Sequence, residues 1–448
     1  MQINKEKIKK ILLIRPEMIG DYVIITPAIT ALKNAFPNAK IAIFIKEMTK
    51  SLVETNPDID EIILDPNQIK KGSFDLAIDF YGDPKYARLI YLCRIPYRIG
   101  DCSRILNCLF YNVRVFINWR DFTKHYLEHY LELLRPLGIE VKDPKINIRP
   151  AKSAEESVKK LLPSGKYIGL HIGTGGSNRS WTSKNFAKTA ELIMEKLGLQ
   201  VVLLGGKKEE AKAKEIMNLS NPKPINLVNK ISLPELAAVL SKLAVYVGSD
   251  TGPFHLAAGL GIPIVALMPT KFVKPTQWGP WNTRNIVLRP NSPCDKACNP
   301  RSCKDSTCLI KISPDEVLSA IQSLMAGGGN NTLEESKKDW IKKSLNILLI
   351  GKDLKNLEKA SSLLFNDDYR ACSIKNASLR KLLSIFVKED INILHSLDSG
   401  PNFKLRLACL LSSIKLLLPV LFIKTTQAFN QSSEIIDIYL KTLCRKFH

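Results

Sequence analysis

The sequence predicts an α/β protein with two doubly wound, Rossmann-like parallel sheets facing across a cleft and a smaller α/β extension at the C-terminal end. Three observations carry this. The chain has 448 residues, more than one hydrophobic core ordinarily organises. Short β-branched runs alternate with helical patterns over two stretches that meet near residue 150. The run GGGNN at 327–331 then breaks the pattern as a linker does. The expected divisions are residues 1–150, 151–326 and 327–448, the last being a linker with an accessory partial α/β segment.

In the first region ILLIRPEMIGDYVIITPAITALK (11–33) reads as strand, turn and helix. AKIAIFIK (39–46), EIILD (61–65), FDLAIDFYG (74–82) and RIPYRIGD (94–101) supply further strands, and KHYLEHYLELLRPLGI (124–139) reads as a closing helix. Residues 143–166 look like a linker holding a short helix. The second region opens with strand YIGLHIG (167–173), then helix 183–198, strand QVVLLGG (200–206) and helix 209–218. INLVN (225–229), helix 232–243, strand VYVGSD (245–250), helix 253–261 and strand PIVALMP (263–269) follow. In the tail LNILLIG (345–351), DINILHS (390–396) and PVLFIKT (419–425) read as strands, with helices near 354–365 and 403–414.

Hydrophobic residues make up 45% of the chain and charged residues 24%, the balance of a globular protein. Lys and Arg number 65 against 43 Asp and Glu, a net charge of +22. Such an excess suits an anionic partner, a nucleotide or an acidic lipid surface, or simply a solvated basic surface. It is spread along the chain, and no RNA-binding aromatic pattern or zinc-finger spacing accompanies it, so no nucleic-acid partner is expected. The N-terminal run ILLI stops at Arg15, too short for a secretory signal. The most apolar stretch, LACLLSSIKLLLPVLFI (407–423), is interrupted by Lys415 and Pro419 and falls short of a membrane span. A cytoplasmic protein is expected, with peripheral contact to a membrane face left open.

Three turns draw the functional reading. In the first, Asp21 follows Gly20 just before an apolar helix, either as a helix cap or as a catalytic group. In VYVGSDTGPFHLAAGLGIP (245–263), Asp250, Thr251 and Gly252 precede a proline suited to a first helical turn, with His255 close behind. A helix N-terminus there is a seat for phosphate, and an ordinary capped core helix is the alternative. In HIGTGGSNRSWTSKNF (171–186), backbone amides, Thr174 and Arg179 are placed to grip a diphosphate, or else the loop is a plain connector. Trp181 suits packing better than stacking on a base.

PCDKACNPRSCKDSTCLIKI (293–312) spaces Cys294, Cys298, Cys303 and Cys308 as C-x3-C-x4-C-x4-C. Four thiolates in one loop are a candidate structural zinc site, with free thiols as the alternative.

Taken as an ordered set over roughly residues 8–322, these segments resemble glycosyltransferase family nine, the bacterial heptosyltransferases of the lipopolysaccharide inner core. FDLAIDFYGDPKYARLIYLCRIPYRIG, VVLLGGKKEEAKAKEI and LVNKISLPELAAVL add to the likeness. The resemblance implies a two-domain GT-B fold and an inverting transfer from a nucleotide-diphosphate sugar, ADP-heptose in the heptosyltransferases. It implies a lipid-linked saccharide acceptor, such as a lipopolysaccharide core, and no cofactor for catalysis. The family's catalytic aspartate falls on Asp21, and its diphosphate-binding residues on Asp250, Thr251, Gly252 and His255. Arg179 matches the basic residue that contacts the donor phosphates, Thr174 the preceding threonine, and Glu209 the glutamate that binds the nucleoside. Pro16 and Glu17 stand where many members carry small hydroxyl residues, a departure on the acceptor side. The tail past 330 has no counterpart in ordinary members and faintly resembles the first domain of family-four glycosyltransferases.

Overall fold

The computed structural model describes residues 3–103, 105–175, 180–269, 274–289 and 307–329, with the backbone of three short strands in the tail. Contacts divide the chain into two compact units, Met1–Lys337 and Lys338–His448.

The first unit holds two six-stranded sheets. One comprises β1 (Lys10–Ile14), β2 (Lys40–Phe44), β3 (Glu61–Ile63), β4 (Leu76–Asp79), β5 (Tyr97–Asp101) and β6 (Val113–Val115). Its spatial order is β3-β2-β1-β4-β5-β6, with every neighbouring pair parallel. The other comprises β7 (Tyr167–His171), β8 (Gln200–Leu204), β9 (Ile225–Asn226), β10 (Leu243–Gly248), β11 (Ile264–Leu267) and β12 (Asn285–Leu288). Its order, β12-β11-β10-β7-β8-β9, is the same winding repeated, again all parallel. Central strands are apolar without alternation because helices cover both faces; β1 and β7 bury nearly every residue. In each sheet the chain reverses direction between two central strands, β1 and β4 in one, β7 and β10 in the other. Ligands of doubly wound sheets bind at the carboxyl ends of such strands.

The first lobe's helices are α1 (Ile19–Ala35), α2 (Lys50–Val53), α3 (Pro84–Leu92) and α4 (Tyr126–Leu131). Helix α5 (Lys152–Leu161) leads into the second lobe, with α6 (Ser183–Leu197), α7 (Glu210–Leu219), α8 (Leu233–Leu240) and α9 (Gly252–Gly259). Helices α10 (Pro275–Trp278), α11 (Thr307–Ile310) and α12 (Pro314–Met325) complete it. Their starts follow from local chemistry. The Ser232 and Ser313 side chains cap α8 and α12, with Glu235 and Glu316 reaching back to the cap amides.

Helix α1 is apolar nearly all round, burying residues from Gly20 to Leu32. It has two partners to satisfy, its own sheet and α9 of the other lobe, so one core cluster runs from Leu13 and Ile29 through Phe254 and Leu256. Asn147, on the segment joining the lobes, donates its amide to Thr26 Oγ1 of α1 at 3.0 Å. This is the GT-B arrangement, two Rossmann-like domains packed edge to edge.

Two strands were not anticipated. Both β6 and β12 are edge strands of only three and four residues, VRV and NIVL, too short to show a period of their own. The expected helix 124–139 is α4 followed by a 3-10 turn, Glu132–Leu137, which contains Pro136 and ends at left-handed Gly138. The second unit shows a small parallel sheet of β13 (Ile347–Ile350), β14 (Arg370–Ala371) and β15 (Ile393–Ser396), with β13 in the centre. The helices expected in the tail and the strand at 419–425 lie outside the described residues.

Candidate active site

At the carboxyl end of β1 the chain turns through Arg15–Met18 into α1. The Asp21 carboxylate is at the third helical position, and one oxygen accepts the Met18 amide at 3.3 Å. It is therefore a cap. Its other oxygen takes the Arg15 guanidinium at 2.8 Å, and a fifth of the side chain stays open, with 21% exposed. Each oxygen keeps a lone pair for a further donor, so capping and proton acceptance are compatible on one residue.

Arg15, unassigned by the sequence reading, organises this turn. Its side chain is 1% exposed and pairs with Glu17 at 2.8 Å as well as Asp21. It also donates to Tyr130 Oη at 2.9 Å and to the Phe80 carbonyl, and it lies over the Tyr130 ring at 4.5 Å. Burial disfavours the guanidinium charge, but Tyr130, Asp21 and Glu17 outweigh that and raise its pKa above the ordinary value. The signal was one charged residue closing the apolar run ILLI, too slight alone to name its partners.

In the second lobe β10 ends at Gly248, and Ser249–Thr251 lead into α9. Thr251 is its N-cap; its hydroxyl donates to the Ser249 carbonyl at 3.2 Å and faces His171 Nδ1 at 3.4 Å. Burial, and then the charge of Lys212, push the His171 pKa down to about 4, so the ring is neutral. The loop after β7 folds onto the same place: a side chain at Gly175 (φ +60°) would meet Thr251 Cγ2 at 3.3 Å. Thr174, half-buried, directly precedes this contact in the chain. His255 Nε2 lies 2.9 Å from Asp250 Oδ1, so this nitrogen is engaged by a carboxylate within the protein. His255 Nδ1 is buried with no hydrogen-bond partner among the described residues.

Glu209 ends the turn after β8 and accepts the Gly206 amide at 2.9 Å. A Cβ on Gly173 would come 3.5 Å from its carboxyl carbon and 2.9 Å from His171 Cε1, so Glu209, His171 and the β7 loop share one corner. Lys212, also missed by the sequence reading, lies one helical turn on. It donates to the carbonyls of Ile172 and Trp181 and to Ser180 Oγ. Burial lowers its pKa to about 8, against the opposing pull of Glu209 and Glu215. All three ammonium hydrogens are spent on the loop, so Lys212 anchors it. Raising pH through about 8 removes that cation. We expect donor KM to rise about tenfold above that pH, and Lys212→Met to show the raised KM with the pH dependence gone. Steady-state kinetics across pH checks this.

The two lobes meet at glycines. A side chain at Gly20 would lie 3.0 Å from His255 Cδ2 and 3.4 Å from Gly252 Cα. One at Gly252 would lie 3.0 Å from Ile19 Cβ. The N-terminal ends of α1 and α9 thus abut, directing the positive ends of both helices to one junction with Asp21 next to the contact. Gly20→Val should wedge the lobes and cost roughly 1–3 kcal/mol, read by denaturant unfolding, with a larger fractional loss of turnover than Val would cause at exposed Gly165.

Of the site residues expected from sequence, Gly252 and His255 meet Gly20 at this junction, with Asp21 next in the chain, Asp250 paired to His255 and Thr251 capping α9. Gly175, the neighbour of Thr174, lies against Asp250 and Thr251, while Glu209 sits at the neighbouring corner with His171. Arg179 lies outside the described residues. Trp181 is packing, buried with its indole N–H on the Ile312 carbonyl at 2.9 Å. Cys294, Cys298 and Cys303 lie outside the described residues, and Cys308 is buried in the second lobe's core. Among the described residues no cluster of His, Cys, Asp or Glu is arranged to hold a metal.

Comparison with known proteins adds four findings. The model of glycosyltransferase family 9 (heptosyltransferase) matches residues 66–306. The lipopolysaccharide heptosyltransferase 3 of Escherichia coli is 24% identical over 339 residues, covering 70% of this chain and 98% of that protein. The lipooligosaccharide heptosyltransferase 2 of Campylobacter jejuni is 27% identical over 335 residues, 70% of this chain and 99% of its own. Among solved structures, E. coli ADP-heptose lipopolysaccharide heptosyltransferase II superposes with a TM-score of 0.60 at 21% identity, covering 71% and 99% of the two chains. That likeness is one of fold.

Proposed function

Since the chain belongs to glycosyltransferase family 9, the heptosyltransferase family, we propose that it moves a heptose from ADP-heptose to a lipopolysaccharide-core or similar lipid-linked saccharide, with inversion. Glycosyl transfer is the family's chemistry. The sugar, nucleotide, acceptor and stereochemistry are our reading. The observation that carries it is the junction of α1 and α9, where Gly20 meets Gly252 and His255 and the next residue, Asp21, keeps a partly open carboxylate.

In this reading Asp21 takes the proton of the acceptor hydroxyl as that oxygen attacks the anomeric carbon. The bond from that carbon to the diphosphate breaks on the opposite face, and its electron pair leaves with the diphosphate. The N-terminus of α9, Thr251, Thr174 and Arg179 neutralise the leaving group, and Glu209 holds the nucleoside. Asp250 orients His255 and offers its second oxygen to a sugar hydroxyl. These groups supply the charge for leaving-group departure, so no cofactor is invoked; a zinc held by Cys294, Cys298, Cys303 and Cys308 would be structural only.

The protein would work in the cytoplasm at the inner-membrane face, where a lipid-linked acceptor is presented. No helix among the described residues is long and apolar enough to cross a membrane. Incubation with ADP-heptose and a truncated core saccharide, read by ADP release and product mass, tests the proposal. ADP release with a product heavier by one heptose supports it. Turnover of a different nucleotide sugar, with none of ADP-heptose, would overturn the donor assignment.

A further inference from the structure

The first lobe carries a surface that the transfer chemistry does not use. Tyr91, Leu92, Leu106, Leu109 and Phe116 are between 48% and 69% exposed, and all fall within one short span of the chain. Residues 84–120 hold seven basic residues against a single acidic one, Asp101. Asp101 is buried, accepting the Ser103 and Ile117 amides and the Trp119 indole N–H, so it offsets none of the surface charge.

These residues share one face of the sheet. From 113 to 117 burial alternates strictly: Val113, Val115 and Ile117 point inward, Arg114 and Phe116 outward. Arg114 pairs in register with Gly100, whose missing side chain is replaced by the Tyr111 ring. Tyr111 belongs to the same core cluster as Ala87 and Ile90 of α3. The outward face of β6, helix α3 and the 3-10 turn Ile105–Leu109 therefore lie on one side. Tyr91 packs on Phe110 at 5.8 Å between ring centres, and the Arg98 guanidinium covers Tyr91 at 5.4 Å, joining α3 to the turn. The exposed cations Arg88 and Arg94 flank Tyr91 and Leu92 along the chain, and Arg114 shares the outward side of β6 with Phe116. Asn107 donates to the Gly82 carbonyl at 2.8 Å, so the turn sits by the carboxyl end of β4, on the sheet edge that carries Asp21.

We propose that this face docks on an anionic lipid bilayer, with Leu106, Leu109 and Phe116 entering the headgroup boundary and Arg88, Arg94 and Arg114 binding lipid phosphates. Large exposed apolar groups rimmed by cations, with no surface anion between them, match the charge and polarity of that interface. Docking there turns the carboxyl edge of the first sheet toward the lipid. This deepens the lipid-linked acceptor of the reading above and rests on it for purpose, but its test is independent of turnover.

The test is co-sedimentation of the full chain with vesicles of phosphatidylglycerol and phosphatidylcholine in equal parts, against phosphatidylcholine alone. Binding should require phosphatidylglycerol and weaken with salt. Arg88→Gln, Arg94→Gln and Arg114→Gln should weaken it by roughly fivefold for each cation removed. Leu106→Ser with Leu109→Ser and Phe116→Ser should weaken it further in high salt. Turnover of a water-soluble acceptor and the unfolding midpoint should not change. Equal binding by all variants, or a stable dimer in sedimentation that needs the same residues, would overturn docking. Loss of ADP-heptose turnover with vesicle binding intact would instead strike the functional reading.

Discussion

Asp21→Asn lowers turnover by roughly 10²–10⁴-fold and leaves donor affinity unchanged, because Asn keeps the shape of the side chain and loses the proton acceptor. The distinction matters because Asp21 is also a helix cap and an ion-pair partner. An Asn oxygen can still accept the Met18 amide, so α1 keeps its start. The Arg15 guanidinium then faces a neutral amide on one side while Glu17 and Tyr130 still hold it. A stability loss of about 1.5–3 kcal/mol is expected, the range for a charge-assisted hydrogen bond. Kinetics and calorimetric titration with ADP separate the two effects. Near-normal turnover would remove Asp21 from the chemistry and leave it a cap.

Arg15→Met has the larger effect on stability. It strips the buried partner from Asp21 and Glu17 together and leaves Tyr130 and the Phe80 carbonyl without their donor. Breaking a buried pair from one side costs about 3–5 kcal/mol, and a marginally stable domain of this kind can fail to accumulate. Arg15→Lys is therefore the informative companion. It restores a charge but not the planar fork that reaches both carboxylates, the carbonyl and the phenol at once. Because Arg15 positions Asp21, the Lys variant should lower kcat and shift its pH profile while donor KM stays put. A lowered unfolding midpoint with kcat and its pH profile unchanged would reduce Arg15 to a structural role.

Much of the fold was legible because its signals are local. Continuous apolar runs such as ILLI and VVLL marked strands buried on both faces, and Thr182 and Ser232 announced helix starts by composition, whereas α12 behind Ser313 was not anticipated. The edge strands β6 and β12 were missed because three or four residues are too few to show a period. That the loops at 20–21 and 250–255 lie together was legible only through family likeness, since no local signal brings residue 20 within contact of residue 255. The partners of buried charge escaped for the same reason. Arg15 meets Tyr130 across 115 residues, and Lys212 meets Ser180 and Trp181 across more than 30. His255 was read as free to meet phosphate, but a nearly buried ring nitrogen takes the nearest acceptor, and Asp250 is that acceptor.

The central claim is spatial: the carboxylate of residue 21 and the end of α9 serve one sugar–diphosphate bond. A crystal structure of the protein with a non-transferable ADP-sugar analogue tests it directly. The account predicts the diphosphate on the N-terminal end of α9 beside Thr251, with the anomeric carbon turned toward Asp21. A diphosphate bound elsewhere, or an anomeric carbon facing away from that carboxylate, would contradict it.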